Sequence, residues 1–190
     1  LMRFVEGGEI TRDELQAVIE GRVNLDRLVQ AKLRWSLGWG GTLGMKFAVY
    51  LDTIPEPSAQ PNVWERRFEQ LVLVDERISL TVACRLAGLR FYGNDTTFVP
   101  FDSKKVPTEK IRWVWANNGR QNRDRKPRDC RKSFAKTKDE VGLTAFEGVS
   151  VYVQDRTVIN GHFMDLPGSV HGGSRDSCAC LGRWRDSPVL

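Results

Sequence analysis

The sequence predicts a helix-rich α+β fold, a single domain over residues 1–190 in which an N-terminal helical hairpin and further helices pack on a small sheet. Three observations lead there. Capped amphipathic stripes open the chain, and a short alternating run rich in β-formers lies at residues 111–115. A hydrophobic content of 41%, with six Trp and nine Phe, is enough to build a real core.

Thr11 to Glu14 is a capping box, Thr-x-x-Glu, in which hydroxyl and carboxylate each satisfy an orphan backbone N–H. Leu15, Val18 and Ile19 follow at i, i+3 and i+4 as one apolar stripe, and Gly21 suits the helix end. Asn24 caps a second helix carrying Leu25, Leu28, Val29 and Leu33. The short connection predicts an antiparallel hairpin. Gly38, Gly40, Gly41 and Gly44 around Trp39 predict a flexible loop leading to a strand over Lys46 to Leu51. No Gly-Lys-Ser/Thr follows, so this is not a phosphate loop. Pro55, Pro57 and Pro61 make residues 55–61 a stiff connector.

Trp64, Phe68 and Leu71, at i, i+4 and i+7, predict another helix. Asp75 is expected to cap its successor, which carries Ile78, Val82 and Leu86 and ends at Gly88. The pair has a helix-turn-helix flavour, but small-residue spacing of this kind is common in ordinary helix pairs, and a core role is the expectation. A short strand is expected within Thr97 to Phe101, and a better one at Ile111 to Trp115. Asn118-Gly119 signals a turn, Arg120 to Arg125 must be solvated, and Pro127 fits the first turn of a helix through Phe134. Thr144 to Gln154 can be read with either period. The capping box Thr144/Glu147 and five apolar matches favour a helix. Met164 to Ser169 reads as a turn, residues 172–174 as a loop, and Cys178 to Pro188 as a terminal strand or hairpin.

The charge distribution carries the functional direction. Residues 110–138 hold eleven Lys and Arg against two Asp, a net +9, while the whole chain is only +5. This exposed segment lies beside the indoles of Trp113 and Trp115, which share one strand face. Basic blocks attract polyanions, and aromatic faces accept stacked bases. The amides of residues 117–122 suit base edges or phosphates. The expectation is a non-enzymatic nucleic-acid-binding protein, favouring RNA or single strands. Arg112, Arg120, Arg123, Arg125, Lys126, Arg128 and Arg131 are the candidate phosphate contacts, and Trp113 and Trp115 the candidate stacking rings. An acidic protein partner would use the same segment.

Two further groupings are weaker. His162, Asp165 and His171 could form an acid–base site of an enzyme, although the spacing is not diagnostic. His171, Cys178 and Cys180, completed by Cys130 or Cys84, are the best zinc candidates, although a one-residue gap is tight for a zinc knuckle. No nucleophile elbow, dinucleotide fingerprint, kinase set or deaminase signature is present. No apolar run approaches the ~18 residues of a membrane span, so no membrane partner is expected. Four unevenly spread cysteines and no secretory apolar region after Leu1-Met2-Arg3 point to reduced thiols and a cytoplasmic location.

Overall fold

The computed structural model describes residues 10–57, 59, 70–105, 107–117, 119, 122–137, 140–172 and 174–190. They form seven helices and small antiparallel sheets, an α+β fold, and the chain divides into two compact units at Ala59/Gln60.

The first unit is helical. Helix α1 (Arg12–Ile19) starts at the predicted capping box: Thr11 N donates to Glu14 Oε2 at 2.7 Å, and Glu14 N to Thr11 Oγ1 at 3.3 Å. Asn24 accepts from Arg27 N and opens α2 (Leu25–Ser36). Lys32 Nζ, late in α2, meets Glu14 Oε2, early in α1, at 2.6 Å, as an antiparallel hairpin requires. Burial weakens Glu14 as an acid, but the bonds from Lys32 and Thr11 outweigh it and hold its pKa below the ordinary value.

Two expectations fail in this unit. The glycine-rich stretch contains a helical turn, α3 (Trp39–Thr42), with Gly38 left-handed at φ 94° and Trp39 buried. The strand expected at 46–51 is instead helix α4 (Phe47–Thr53). Five apolar residues fit either period, and the helical one brings Phe47 and Tyr50 to the Trp35 ring, at centroid distances of 5.7 and 6.2 Å. Val49 faces solvent.

The second unit is mixed. Strand β1 (Gln70–Asp75) replaces the predicted helix at Leu71, while Trp64 and Phe68 lie outside the described residues. Val72, Leu73 and Val74 are all buried, so the run is a strand covered on both faces, which alternation cannot reveal. Asp75 caps nothing. It is fully buried and takes both Nε and Nη2 of Arg77 at 2.8 Å. Ser79 caps α5 (Leu80–Leu86), which ends before left-handed Gly88 as expected. With no partner helix before it among the described residues, α5 makes no helix-turn-helix. Strand β2 (Phe98–Pro100) follows. Strand β3 (Ile111–Ala116) forms as predicted but pairs antiparallel with β1, not with residues 46–51.

Helix α6 (Pro127–Phe134) and helix α7 (Ala145–Gln154) match their predicted bounds, the second with its Thr144/Glu147 capping box intact. Helix α7 packs on β1, and Gln154 Nε2 donates to Leu71 O at 2.8 Å. Gly148 lets it approach closely, since a Cβ there would sit 2.4 Å from Leu166 Cδ1. The stretch read as a turn at 164–169 holds two strands about Pro167-Gly168: β4 (Met164–Leu166) and β5 (Ser169–His171). Strand β5 pairs with β2. Strand β4 joins β6 (Ala179–Trp184) and β7 (Ser187–Val189), the predicted terminal hairpin, in a three-stranded sheet. The core gathers Val72, Val74, Val149, Leu166 and Leu181 between β1, α7 and the three-stranded sheet. Among the described residues no helix is long and apolar enough to cross a membrane.

Candidate nucleic-acid interface

Strand alternation sorts the residues of β3. In the β1–β3 register Trp113 lies opposite Leu73 and Trp115 opposite Leu71, so both indoles occupy one face of the pair. Arg112 points to the other face, where α7 lies. Its Nη2 donates to Glu147 Oε1 at 2.9 Å and to Glu76 Oε1 at 2.8 Å, and its Nη1 to Glu109 O. Burial would lower the Arg112 pKa, but the bonds to Glu147 and Glu76 outweigh it and raise it. Arg112 is thus a buried tie between β3 and α7 and is removed from the expected phosphate contacts.

Arg131 is removed as well. From the inner face of α6 it donates Nε to Pro167 O at 2.8 Å and Nη2 to Ser169 O and Ser177 O at 2.9 and 2.7 Å. Nη1 donates to Arg175 O, and the guanidinium lies 4.4 Å from the Phe101 ring centroid. Every guanidinium nitrogen is engaged with backbone carbonyls of the turn after β4, the start of β5 and the loop before β6. Burial lowers its pKa.

The other cations face outward. Arg123, Arg125, Lys126 and Arg128 are exposed, with local ties: Arg125 Nη1 donates to Asn122 Oδ1 at 3.0 Å and Nη2 to Asp129 O at 3.1 Å, and Arg128 Nε lies 4.0 Å from Asp129 Oδ1. Lys132 and Lys136, which sequence reading passed over individually, are exposed too. Arg128 and Lys132 stand at i and i+4 on the outer face of α6, and Lys136 extends the stripe; that spacing was visible in the sequence. Arg120 lies outside the described residues.

A cleft of about 730 Å³ joins these parts. Trp113, Trp115, Arg123, Arg125, His162, Phe163 and Asp165 are among the residues that line it. The cleft lining is more apolar than polar, as small-ligand sites usually are. Phe163 is more than half exposed for a large apolar side chain, and no periodic signal marked it. Two buried polar atoms of lining residues, Trp115 Nε1 and His162 Nε2, have no hydrogen-bond partner among the described residues. His162 Nδ1 lies 3.1 Å from Asn160 O. A proton on Nδ1 satisfies that contact and leaves a lone pair on Nε2.

The weaker groupings are not brought together. His171 does not line the cleft. It is exposed on β5 opposite Phe98, their rings edge-on at 5.8 Å, so the expected His162–Asp165–His171 site is reduced to its first two members. The zinc grouping of His171, Cys178, Cys180 and Cys130 does not form, because among the described residues no three His, Cys, Asp or Glu side chains could hold a metal ion. All four cysteines are free thiols, and Cys84 is buried away on α5. Burial first, then the nearby Asp165 carboxylate, pushes the thiol of Cys178 up to about 11 and that of Cys180 up to about 12. The short gap put both sulfurs beside Asp165, which sits opposite Cys180 in the sheet register.

No protein-family model, no curated protein and no solved structure matches the chain.

Proposed function

We propose that this chain binds single-stranded nucleic acid, RNA in preference to duplex DNA, as a non-enzymatic binding protein. One observation carries the reading: the two tryptophans of β3 line a single cleft with Arg123 and Arg125, and Lys126 and Arg128 are exposed on the chain that follows. Phosphates run along Arg123, Arg125, Lys126 and Arg128, while an unpaired base leaves the strand and stacks on Trp113 or Trp115. A cleft that admits a planar ring favours unpaired strands, because bases in a duplex keep both faces stacked. The four free thiols support a reducing compartment such as the cytoplasm.

A salt titration of oligonucleotide binding tests the reading. Four phosphate contacts at about −0.7 each give a slope of log affinity against log salt near −2.8 on single strands. A slope near zero, or no binding at low salt, would overturn it. Indole fluorescence separates nucleic acid from an acidic protein partner: a stacked base quenches, and the quenching should disappear in a Trp113→Ala, Trp115→Ala double variant. Binding of an acidic peptide with the same slope, and no quenching by oligonucleotides, would transfer the surface to a protein partner.

A further inference from the structure

We infer that the cleft selects guanine, with Asp165 as the acceptor that reads the base edge; the inference rests on the nucleic-acid reading above. Asp165 projects from β4, where antiparallel pairing with Cys180 holds its backbone and buried Met164 and Leu166 flank it. The other lining carboxylates are differently placed. Glu147 is committed to Arg112, and Glu140 is buried and accepts from Thr137 Oγ1 at 3.0 Å. Asp124 sits in a left-handed turn residue between Arg123 and Arg125. Asp165 has no Lys or Arg partner among the described residues, and the thiols of Cys178 and Cys180 are its hydrogen-bonding neighbours. A thiol is a weak donor, so most of the accepting capacity of this carboxylate is unused.

Chemistry then chooses the base. A carboxylate accepts only, and its two oxygens suit two parallel N–H donors. Guanine alone among the four RNA bases sets two donors side by side, at N1 and the 2-amino group. Adenine and cytosine place one amine beside a ring-nitrogen lone pair, which would face a carboxylate oxygen repulsively. Uracil flanks its single N–H with two carbonyls. A guanine stacked on Trp113 or Trp115 would direct its two donors to Asp165, which lines the same cleft, while phosphate stays with Arg123 and Arg125. Trp115 Nε1 and His162 Nε2 are further polar groups of the lining with no partner among the described residues. Such groups concentrate at functional sites.

Fluorescence quenching by GMP, IMP, AMP, UMP and CMP at one low salt concentration tests this on the unmodified protein. GMP is expected to bind about tenfold or more tighter than AMP, UMP or CMP, the usual discrimination of a bidentate base contact. IMP lacks the 2-amino donor and should fall between. Asp165→Asn should erase the GMP preference by weakening GMP and by tightening AMP, because an amide offers adenine's amine an acceptor and its ring nitrogen a donor. The inference is overturned if the five nucleotides quench equally, if none quenches while oligonucleotides still bind, if IMP equals GMP, or if the preference survives Asp165→Asn. It also fails if Asp124→Asn removes the preference instead. Absence of oligonucleotide binding at low salt would remove the nucleic-acid reading itself, whereas loss of base preference with the salt slope intact removes only the guanine assignment.

Discussion

Arg112 and Arg131 are indistinguishable from their basic neighbours in the sequence, yet both are tied inside the fold. Strand alternation turned Arg112 toward α7, and the helical period turned Arg131 inward from α6. Arg112→Ala would strand Glu147 as a buried charge and should destabilise by roughly 3 kcal/mol, since breaking one side of a buried pair costs more than the pair contributes. Chemical denaturation reads that loss. The salt slope of binding should stay where it was, whereas Arg125→Ala should leave stability alone and flatten the slope by about 0.7. The thiols give a pH signature. Cys84, Cys178 and Cys180 are raised to about 12, 11 and 12 by burial first, Asp95 adding to the first and Asp165 to the other two. In the folded chain they keep their protons after the unfolded thiols have lost theirs. Stability is therefore full below the ordinary thiol pKa and should fall as pH rises from about 9 toward 12. Urea midpoints measured from pH 7 to 11 check the sign. A rise across that range would contradict it. At pH 8 only on the order of one Cys180 in ten thousand is thiolate, so alkylation of the native protein should be slow.

At the scale of elements, the caps were legible because a cap is a local contract between residues three apart. Thr11/Glu14, Asn24 and Thr144/Glu147 each form the bonds that their spacing predicts. Helices α1, α2, α6 and α7 followed from them and from Pro127. The short apolar runs were not legible. Phe47 to Leu51 and Leu71 to Val74 satisfy both periods, and each took the opposite state to the one expected, because the partners that bury them are distant in sequence. Gly148 illustrates the same dependence. Ala at a helix interior ordinarily gains up to about 1 kcal/mol over Gly, but a Cβ here meets Leu166 of β4, and overpacking of this kind costs about 1–3 kcal/mol. Gly148→Ala should therefore lower the unfolding free energy by up to about 2 kcal/mol net, seen as a lower urea midpoint with the slope against urea unchanged. A more stable variant would show that β4 yields readily.

For the whole molecule, length and core size argue for one cooperative domain, and we propose that the two compact units unfold together. Calorimetry should give one transition with equal calorimetric and van't Hoff enthalpies. Two transitions, or two protease-stable fragments parted near Pro55 to Pro61, would separate them. The sequence alone determined the α+β class, the capped helices, the strand at 111–115 and the concentration of positive charge at 110–138, since composition, spacing and local hydrogen bonding act within a few residues. Only the tertiary structure decided which strand pairs with β3, which arginines are exposed, and that His162 and Asp165 line one cleft with the tryptophans while His171 does not. Those outcomes depend on contacts between residues 30 to 80 or more apart, such as Arg112 with Glu147 and Gln154 with Leu71, and no local pattern encodes them.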